Sequence, residues 1–311
     1  MRQIRGFLMG IVASGSFGFL PLFSLPLMSS GISVSSLLTY RLLLAAVAMG
    51  IIVRLRGGSL RIDRYELFEL AVLAVCYFSS AMLLFMGYNY MNSGLATVLH
   101  FSYPVFTTLI MFLFYRQYIS PVTLAAMVMA ITGVLLSTGV FGASGMMAEP
   151  FGIFIVVLSG LAYALYMVLV NNRPRLRDMD NQRLTFYALL FSGIYFLVFS
   201  LCNQTMIIPS GVKVWGNLLV LSLFCTLLSN ITLVEALKSI GATLGAVLGA
   251  VEPLTAVLIG VLFLGETLST GDILGMILII IAVVLIVLSP RIDRHIGKRL
   301  ERFDRNRQTR H

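Results

Sequence analysis

Apolar residues along this chain come in blocks of about twenty, separated by short polar breaks. An α-helix needs a block of about that length to cross a bilayer. The pattern predicts ten such helices, roughly Phe7–Met28, Val34–Val53, Leu67–Tyr88, Leu95–Phe114, Pro121–Gly139, Phe151–Val170, Leu184–Leu201, Leu218–Leu237, Ala242–Leu264 and Ile273–Leu288. The linkers are short, and no soluble domain fits between them. The first block has basic flanks but is longer than the 7–15-residue core of a signal peptide, so it reads as the first helix.

Composition narrows the class. Of 311 residues, 59% are hydrophobic and 11% charged, and the mean hydropathy is +0.96. A soluble domain carries about 25% charged residues, so this chain cannot dress a water-facing surface. The expectation is an all-α membrane protein. Cys76, Cys202 and Cys225 are far apart in the sequence and form neither a metal-binding motif nor a disulfide framework.

The basic residues orient the stack. With alternating helices and a cytoplasmic N-terminus, 20 of the 22 Lys and Arg fall on the inside. Lys213 alone falls outside, and Arg41 lies within a span. This asymmetry predicts cytoplasmic termini and external loops near Asn92 and Gly145. The net charge of +9 therefore reflects orientation, and nucleic acid is not an expected partner. The basic tail, 291–311, is placed to touch anionic lipid head groups.

The two halves resemble each other. "YPVFTTLIMFLFYRQYIS" from Tyr103 aligns with "EPLTAVLIGVLFLGETLS" from Glu252, pairing Pro104 with Pro253 at an offset of 149 residues. "TYRLLL" from Thr39 echoes "TFYALL" from Thr185, and "ASGSFGF" near Ser14 weakly echoes "LSGLAYA" near Ser159. The chain thus reads as ten transmembrane helices in two five-helix repeats, 1–145 and 146–290. An odd number of spans forces the second repeat to enter from the opposite side, so the repeats are inverted. Secondary transporters are built this way, with the site near the midplane between repeats.

Candidate chemistry clusters there. Glu252 lies about ten residues into the ninth span, and Tyr103 stands at the equivalent place, with His100 one turn away. Pro104 and Pro253 each free a carbonyl four residues back, at His100 and Gly249, and are candidate hinges. Polar groups at the midplane are tolerated where they line a cavity or pack on protein. Glu252 could carry a proton or bind a substrate amine, or simply bond a neighbouring helix. His100 could relay protons or donate to a freed carbonyl. Arg41 could attract a substrate carboxylate, cap a helix or pair with an acid across the repeat interface. Glu235 and Lys238 have the spacing of an i,i+3 ion pair. Glu266, in an outer turn, reads as an interhelix or capping acid. Aromatic residues at helical spacing, including Phe17, Phe19, Tyr88, Tyr163 and Tyr166, could wall a cavity or face lipid.

With these residues in view, "GAVEPLTAVLIGVLFLGETLSTGDILGMILIIIAVVLIVL" resembles the second repeat of EamA-type transporters of the drug/metabolite transporter superfamily. "SFGFLPLF" and "TYRLLLAA" resemble that family's first two helices. The resemblance implies a bacterial inner-membrane carrier of amino acids, metabolites or drug-like solutes, often an exporter. The family's packing would also bring the first, third and sixth helices to the cavity. Departures are Arg116–Gln117 at the first repeat's equivalent of Gly265–Glu266, and Tyr103 where the family has an acid.

The expectation is a secondary transporter of a small-molecule substrate, an exporter acting as monomer or homodimer, with proton coupling at Glu252 or His100 open. A passive channel is the alternative. A membrane-embedded enzyme fits less well, since HExxH, Walker A and GxSxG motifs are absent and no cofactor is implied. A reporter fused to the C-terminus is expected to behave as cytoplasmic. Alkaline phosphatase activity there would overturn the ten-span topology.

Overall fold

The structure, a computed structural model, describes residues 2–116, 120–137, 149–249, 251–271, 273–278, 280–282, 284–285 and 288. The expected lipid contact of the tail lies outside them. The described residues form helices and no strand. Among the described residues, seven helices are long and apolar enough to cross a membrane: Ile4–Ser29, Val34–Leu55, Arg64–Gly87, Ser93–Tyr115, Pro150–Asn172, Asn181–Cys202 and Val212–Ile240. The expected fifth, ninth and tenth spans are helical but shorter. They appear as Pro121–Ser137, as Ala242–Leu248 followed by Val251–Phe263, and as Ile273–Ala282.

Several expected spans are broken. The first is α1 (Arg2–Gly18) and α2 (Leu20–Ser29), interrupted at Phe19. Next come α3 (Val34–Leu55) and α4 (Arg64–Gly87). The fourth span is α5 (Ser93–His100) and α6 (Tyr103–Tyr115), followed by α7 (Pro121–Ser137). The second half runs α8 (Pro150–Asn172), the short α9 (Pro174–Asp178) and α10 (Asn181–Cys202). It continues with α11 (Val212–Ser222), a π-helical turn (Leu223–Leu228), α12 (Ser229–Ile240), α13 (Ala242–Leu248) and α14 (Val251–Phe263). Pro104 and Pro253 stand near the start of α6 and α14, where a missing N–H costs nothing. Each marks a break in the helix where the sequence suggested a carbonyl left open mid-helix. The Gly249 carbonyl, expected to be freed, accepts from Glu252 N–H at 2.9 Å.

Local chemistry starts the long helices. Asp63 accepts from the N–H groups of Tyr65 and Glu66 at 2.8 and 2.6 Å, and Glu66 Oε2 accepts from Asp63 N–H at 3.0 Å. This capping box holds α4 at its charged end, and the Glu66 amide is the main cause holding the Asp63 carboxyl below its ordinary range. Asp180 caps α10 through the N–H groups of Gln182 and Arg183.

The helices pack chiefly across the two halves: α3 on α10, α1 on α12, α4 on α8, α6 on α8 and α1 on α14. The α3–α10 pair is antiparallel. Ser33 and Ser36, at the start of α3, donate to the Thr205 carbonyl past the end of α10, at 2.7 and 2.8 Å. At the other end Tyr187 of α10 donates to the Leu60 carbonyl past the end of α3. The outer surface is apolar, with Phe68, Leu113, Phe114, Leu262 and Phe263 mostly exposed. Buried polar residues include Arg41, Glu252, His100 and many Ser and Thr. Several of these hydroxyls bond a carbonyl one turn back on their own helix, as Thr39, Thr107 and Ser222 do. Apolar outside and polar within is the arrangement hydrocarbon imposes, since a polar group there needs a protein partner.

Glycine permits a close approach at the centre of the bundle. A Cβ on Gly160 of α8 would lie 2.8 Å from both the His100 carbonyl and Ser102 Oγ, at the α5–α6 break. Gly160→Ala is expected to push α8 from that break and destabilise the fold by about 1–3 kcal/mol. A lowered thermal midpoint in detergent is the check; an unchanged midpoint would show that α8 can back away freely.

Candidate functional site

Three helix breaks meet in the centre of the bundle. Gly18, ending α1, lies against the Glu252 backbone, where an added Cβ would stand 2.7 Å from its carbonyl oxygen. Gly249, after α13, lies against the Tyr103 hydroxyl at the start of α6, with no room for a side chain. Breaks leave short helix ends and irregular backbone, which membrane proteins tolerate where they border a cavity.

A cavity of about 30 Å³ lies here, lined by Phe17, Leu20, Arg41, Tyr77, Ser80, Ala81, Leu84, Phe85, His100, Tyr163 and Glu252. Of the residues expected from sequence, Glu252, Arg41, His100, Tyr163 and Phe17 line it. Tyr103 packs edge-on to Tyr163 at 4.9 Å between ring centroids. Tyr166 stacks on Tyr163 at 5.9 Å and meets Tyr77 at 5.3 Å, with its buried hydroxyl unpartnered among the described residues. Tyr88 and Phe19 are not brought to the lining. Tyr88 lies against Phe85, and Phe19 against Phe224 on the π turn.

Two ionisable side chains face this space. Arg41 is 2% exposed and Glu252 6%. No carboxylate of the described residues lies within 4.0 Å of Arg41, so the expected pairing with an acid across the interface is not made. Instead Arg41 Nε donates to Thr226 Oγ1 at 2.6 Å, and its guanidinium sits 5.5 Å from the Phe85 ring centroid. The Glu252 carboxylate bonds no described residue. Leaving a buried charge without a direct partner is costly, and membrane proteins keep such groups mainly for function.

His100 Nδ1 is 2.8 Å from Ser159 Oγ, whose hydroxyl is itself 2.5 Å from the Val156 carbonyl. With the hydroxyl proton given to that carbonyl, Nδ1–H is the donor and Nε2 is the ring's remaining site. The partner is thus a hydroxyl on α8, where the sequence suggested a carbonyl freed by Pro104.

Sequence reasoning missed Tyr77, Phe85, Ser80, Thr226 and Asn230. Thr226 donates to the Leu221 carbonyl five residues back at 2.8 Å. This bond is made by the side-chain hydroxyl, within the π-helical turn, and the same Oγ1 accepts from Arg41. Asn230 donates to the Thr226 carbonyl at 2.8 Å and to Tyr77 Oη at 3.2 Å, so the same turn also holds a cavity-lining tyrosine. The only hint in the sequence is the close grouping of Thr226, Ser229 and Asn230 in the middle of the span.

A second cavity, of about 1000 Å³, opens among the basic helix ends, lined by Arg5, Asn171, Arg177, Asp178, Asn181, Glu235, Lys238 and Ser239. The expected Glu235–Lys238 pair is not formed. Glu235 bonds Arg5 at 3.0 Å, and Lys238 donates to the Met179 carbonyl. The N-terminus of α1 folds close enough to take the acid, while the α10 cap brings a carbonyl to the lysine.

A lipid-compatible helix bundle with broken helices around a polar inner cavity defines the class: a multi-pass membrane protein. The chain belongs to the EamA-like transporter family, whose pattern matches residues 4–139 and again residues 150–288, within the drug/metabolite transporter superfamily. It is 25% identical over 205 residues to the uncharacterized transporter YcbK of Bacillus subtilis (strain 168), a match spanning 64% of this chain and 65% of that protein. A solved crystal structure superposes with a TM-score of 0.69 at 17% identity, covering 92% of this chain and 97% of the other, so the fold is shared. The family and the Bacillus subtilis protein are both named as transporters, not as enzymes.

Thr226→Val is expected to strip Arg41 of its hydrogen bond while keeping the volume, costing about 1–3 kcal/mol. Thr226→Ser should restore most of it. Thermal unfolding of both variants is the check, and a loss in Thr226→Ser with none in Thr226→Val would show that the methyl group, not the hydroxyl, matters.

Proposed function

We propose that this protein is a secondary carrier that exports a small organic solute, such as an amino acid, metabolite or drug-like compound, by alternating access. The carrying observation is that Arg41 and Glu252, both buried and without a direct ionic partner, face one cavity where three helix breaks meet. An amine on the solute would meet Glu252, a carboxylate would meet Arg41, and Tyr103, Tyr163 and Tyr166 would supply an aromatic wall. About 30 Å³ admits one or two water-sized groups and no organic solute. Passage therefore requires the walls to part, with Pro104 and Pro253 marking the hinges.

The packing supports ten spans in two inverted repeats, divided near residues 145 and 146. Swapping equivalent helices turns the α1–α12 contact into α8–α4 and the α1–α14 contact into α8–α6, and both members of each pair are present. The equivalent helices α3 and α10 run antiparallel, as inversion demands. With the basic ends inside, the large cavity faces the cytoplasm, which suits loading for export across a bacterial inner membrane. Glu252 and His100 supply groups able to carry a coupled proton.

Counterflow in proteoliposomes tests the reading, over a panel of amino acids, nucleosides, polyamines and amphipathic cations. A carrier exchanges labelled for unlabelled solute, whereas a channel only equilibrates it. Glu252→Gln should fold, since the amide matches the carboxyl in shape. It should cut exchange by about tenfold or more and flatten its pH dependence. Normal exchange with an unchanged pH profile would remove Glu252 from the site.

A further inference from the structure

At the end of the bundle away from the large cavity, one carboxylate ties the halves together. Glu266 comes after α14, on a turn where Gly265 has φ +67°. Its Oε1 accepts from Ser93 N–H at 2.9 Å and from the Ser93 hydroxyl at 2.5 Å, and its Oε2 accepts from Gly94 N–H at 3.1 Å. These donors form the first turn of α5, so the carboxylate also meets the positive end of that helix. Both sides leave room for it. A Cβ on Gly94 would stand 3.2 Å from Glu266 Oε2, and one on Gly260 would collide with the same carboxylate. Glu266 N–H donates to the Gly260 carbonyl at 3.0 Å, holding the turn. Beside it, Asn92 Nδ2 lies 3.5 Å from the Thr267 carbonyl.

The contact is well placed to control access. The joined helices, α5 and α14, are the ones whose other ends border the central cavity, at His100 and Glu252. The 24 residues of α4, about 36 Å of helix, separate this contact from the charged end. There Glu66 bonds Arg183 at 2.8 Å and the bundle opens into the cavity of about 1000 Å³. The repeat offset puts Gln117 where Glu266 stands, so this turn carries an acid in the second half alone.

We propose that Glu266 is a releasable latch that seals the outer end of the carrier by gripping the first turn of α5, so that the structure is the state closed outside and open to the inner vestibule. The inference rests on the alternating-access reading of the central site. An amide at position 266 would keep the shape but replace an acceptor with a donor facing donors. The latch should then open without loss of the helices on either side.

The test uses the full chain in lipid nanodiscs, with Cys76, Cys202 and Cys225 replaced and spin labels on Asn92→Cys and Thr267→Cys, both exposed. The native residue at 266 should give one short inter-label distance. Glu266→Gln should raise a longer-distance population by about tenfold or more, the shift expected on losing a charge-assisted hydrogen bond. Ser93→Ala, which removes only the hydroxyl, should give a smaller rise and serves if Glu266→Gln fails to fold. Distances unchanged in both variants would overturn the latch and reduce Glu266 to a static cap, whatever happens to thermal stability. Counterflow with unchanged distances would sink the latch and leave the carrier reading intact. Longer distances with no counterflow of any solute would sink the carrier reading, and with it the latch's role in transport, leaving Glu266 as a releasable contact between the halves.

Discussion

Hydrocarbon offers no hydrogen bonds, and that constraint shapes every part of this molecule. A backbone carbonyl, a hydroxyl or a charge within the membrane must find its partner in the protein. The helices satisfy most backbone groups. Many serines and threonines satisfy themselves on their own helix, one turn back. What is left over gathers in the middle: Arg41, Glu252, His100 and the tyrosines around them. Arg41 has a hydroxyl and an aromatic face in place of a carboxylate. The centre of the bundle is therefore polar without being closed off by a salt bridge of its own among the described residues.

The broken helices arise from the same need. A continuous helix presents only side chains to its neighbours. A helix broken at Phe19, or ahead of Pro104 or Pro253, also presents backbone, and glycine lets other helices come up against it. Gly18 on the Glu252 backbone, Gly160 on the His100 carbonyl and Gly249 on the Tyr103 hydroxyl are three such contacts. They lie along the same seam. Without a hydrophobic force between helices in lipid, close packing of this kind and interhelical hydrogen bonds hold the bundle together.

The two ends of the bundle differ in chemistry. The basic end is held by ion pairs at its rim, Arg183 with Glu66 and Arg5 with Glu235, around a wide polar opening. The opposite end is held by uncharged hydroxyls, the Ser33, Ser36 and Thr205 group, and by the acid Glu266. Side chains at the rim of the basic end are partly exposed, so its pairs are screened and individually weak. The Glu266 contact carries three donors on one carboxylate and is the stronger grip of the two.

Spacing and composition alone determined the class of fold, the positions of the helices and the residues bound to lie in the interior. The reason is that hydrocarbon filters residue types one by one: a block of about twenty apolar residues can hardly be anything else, and a lone Glu252 or Arg41 within one must turn inward. Breaks were legible only as prolines, because whether a proline kinks a helix or begins a new one depends on what fills the gap. Partners were not legible. Arg41 meeting Thr226, Glu235 choosing Arg5 over Lys238, and Phe19 turning to Phe224 while Phe17 faces the cavity all depend on helices far apart in the chain. The π turn at Leu223–Leu228 shifts Thr226 and Asn230 out of the 3.6-residue register that a sequence reading assumes. A side chain's direction in a bundle is set by how two helices cross, and only the tertiary structure decides that.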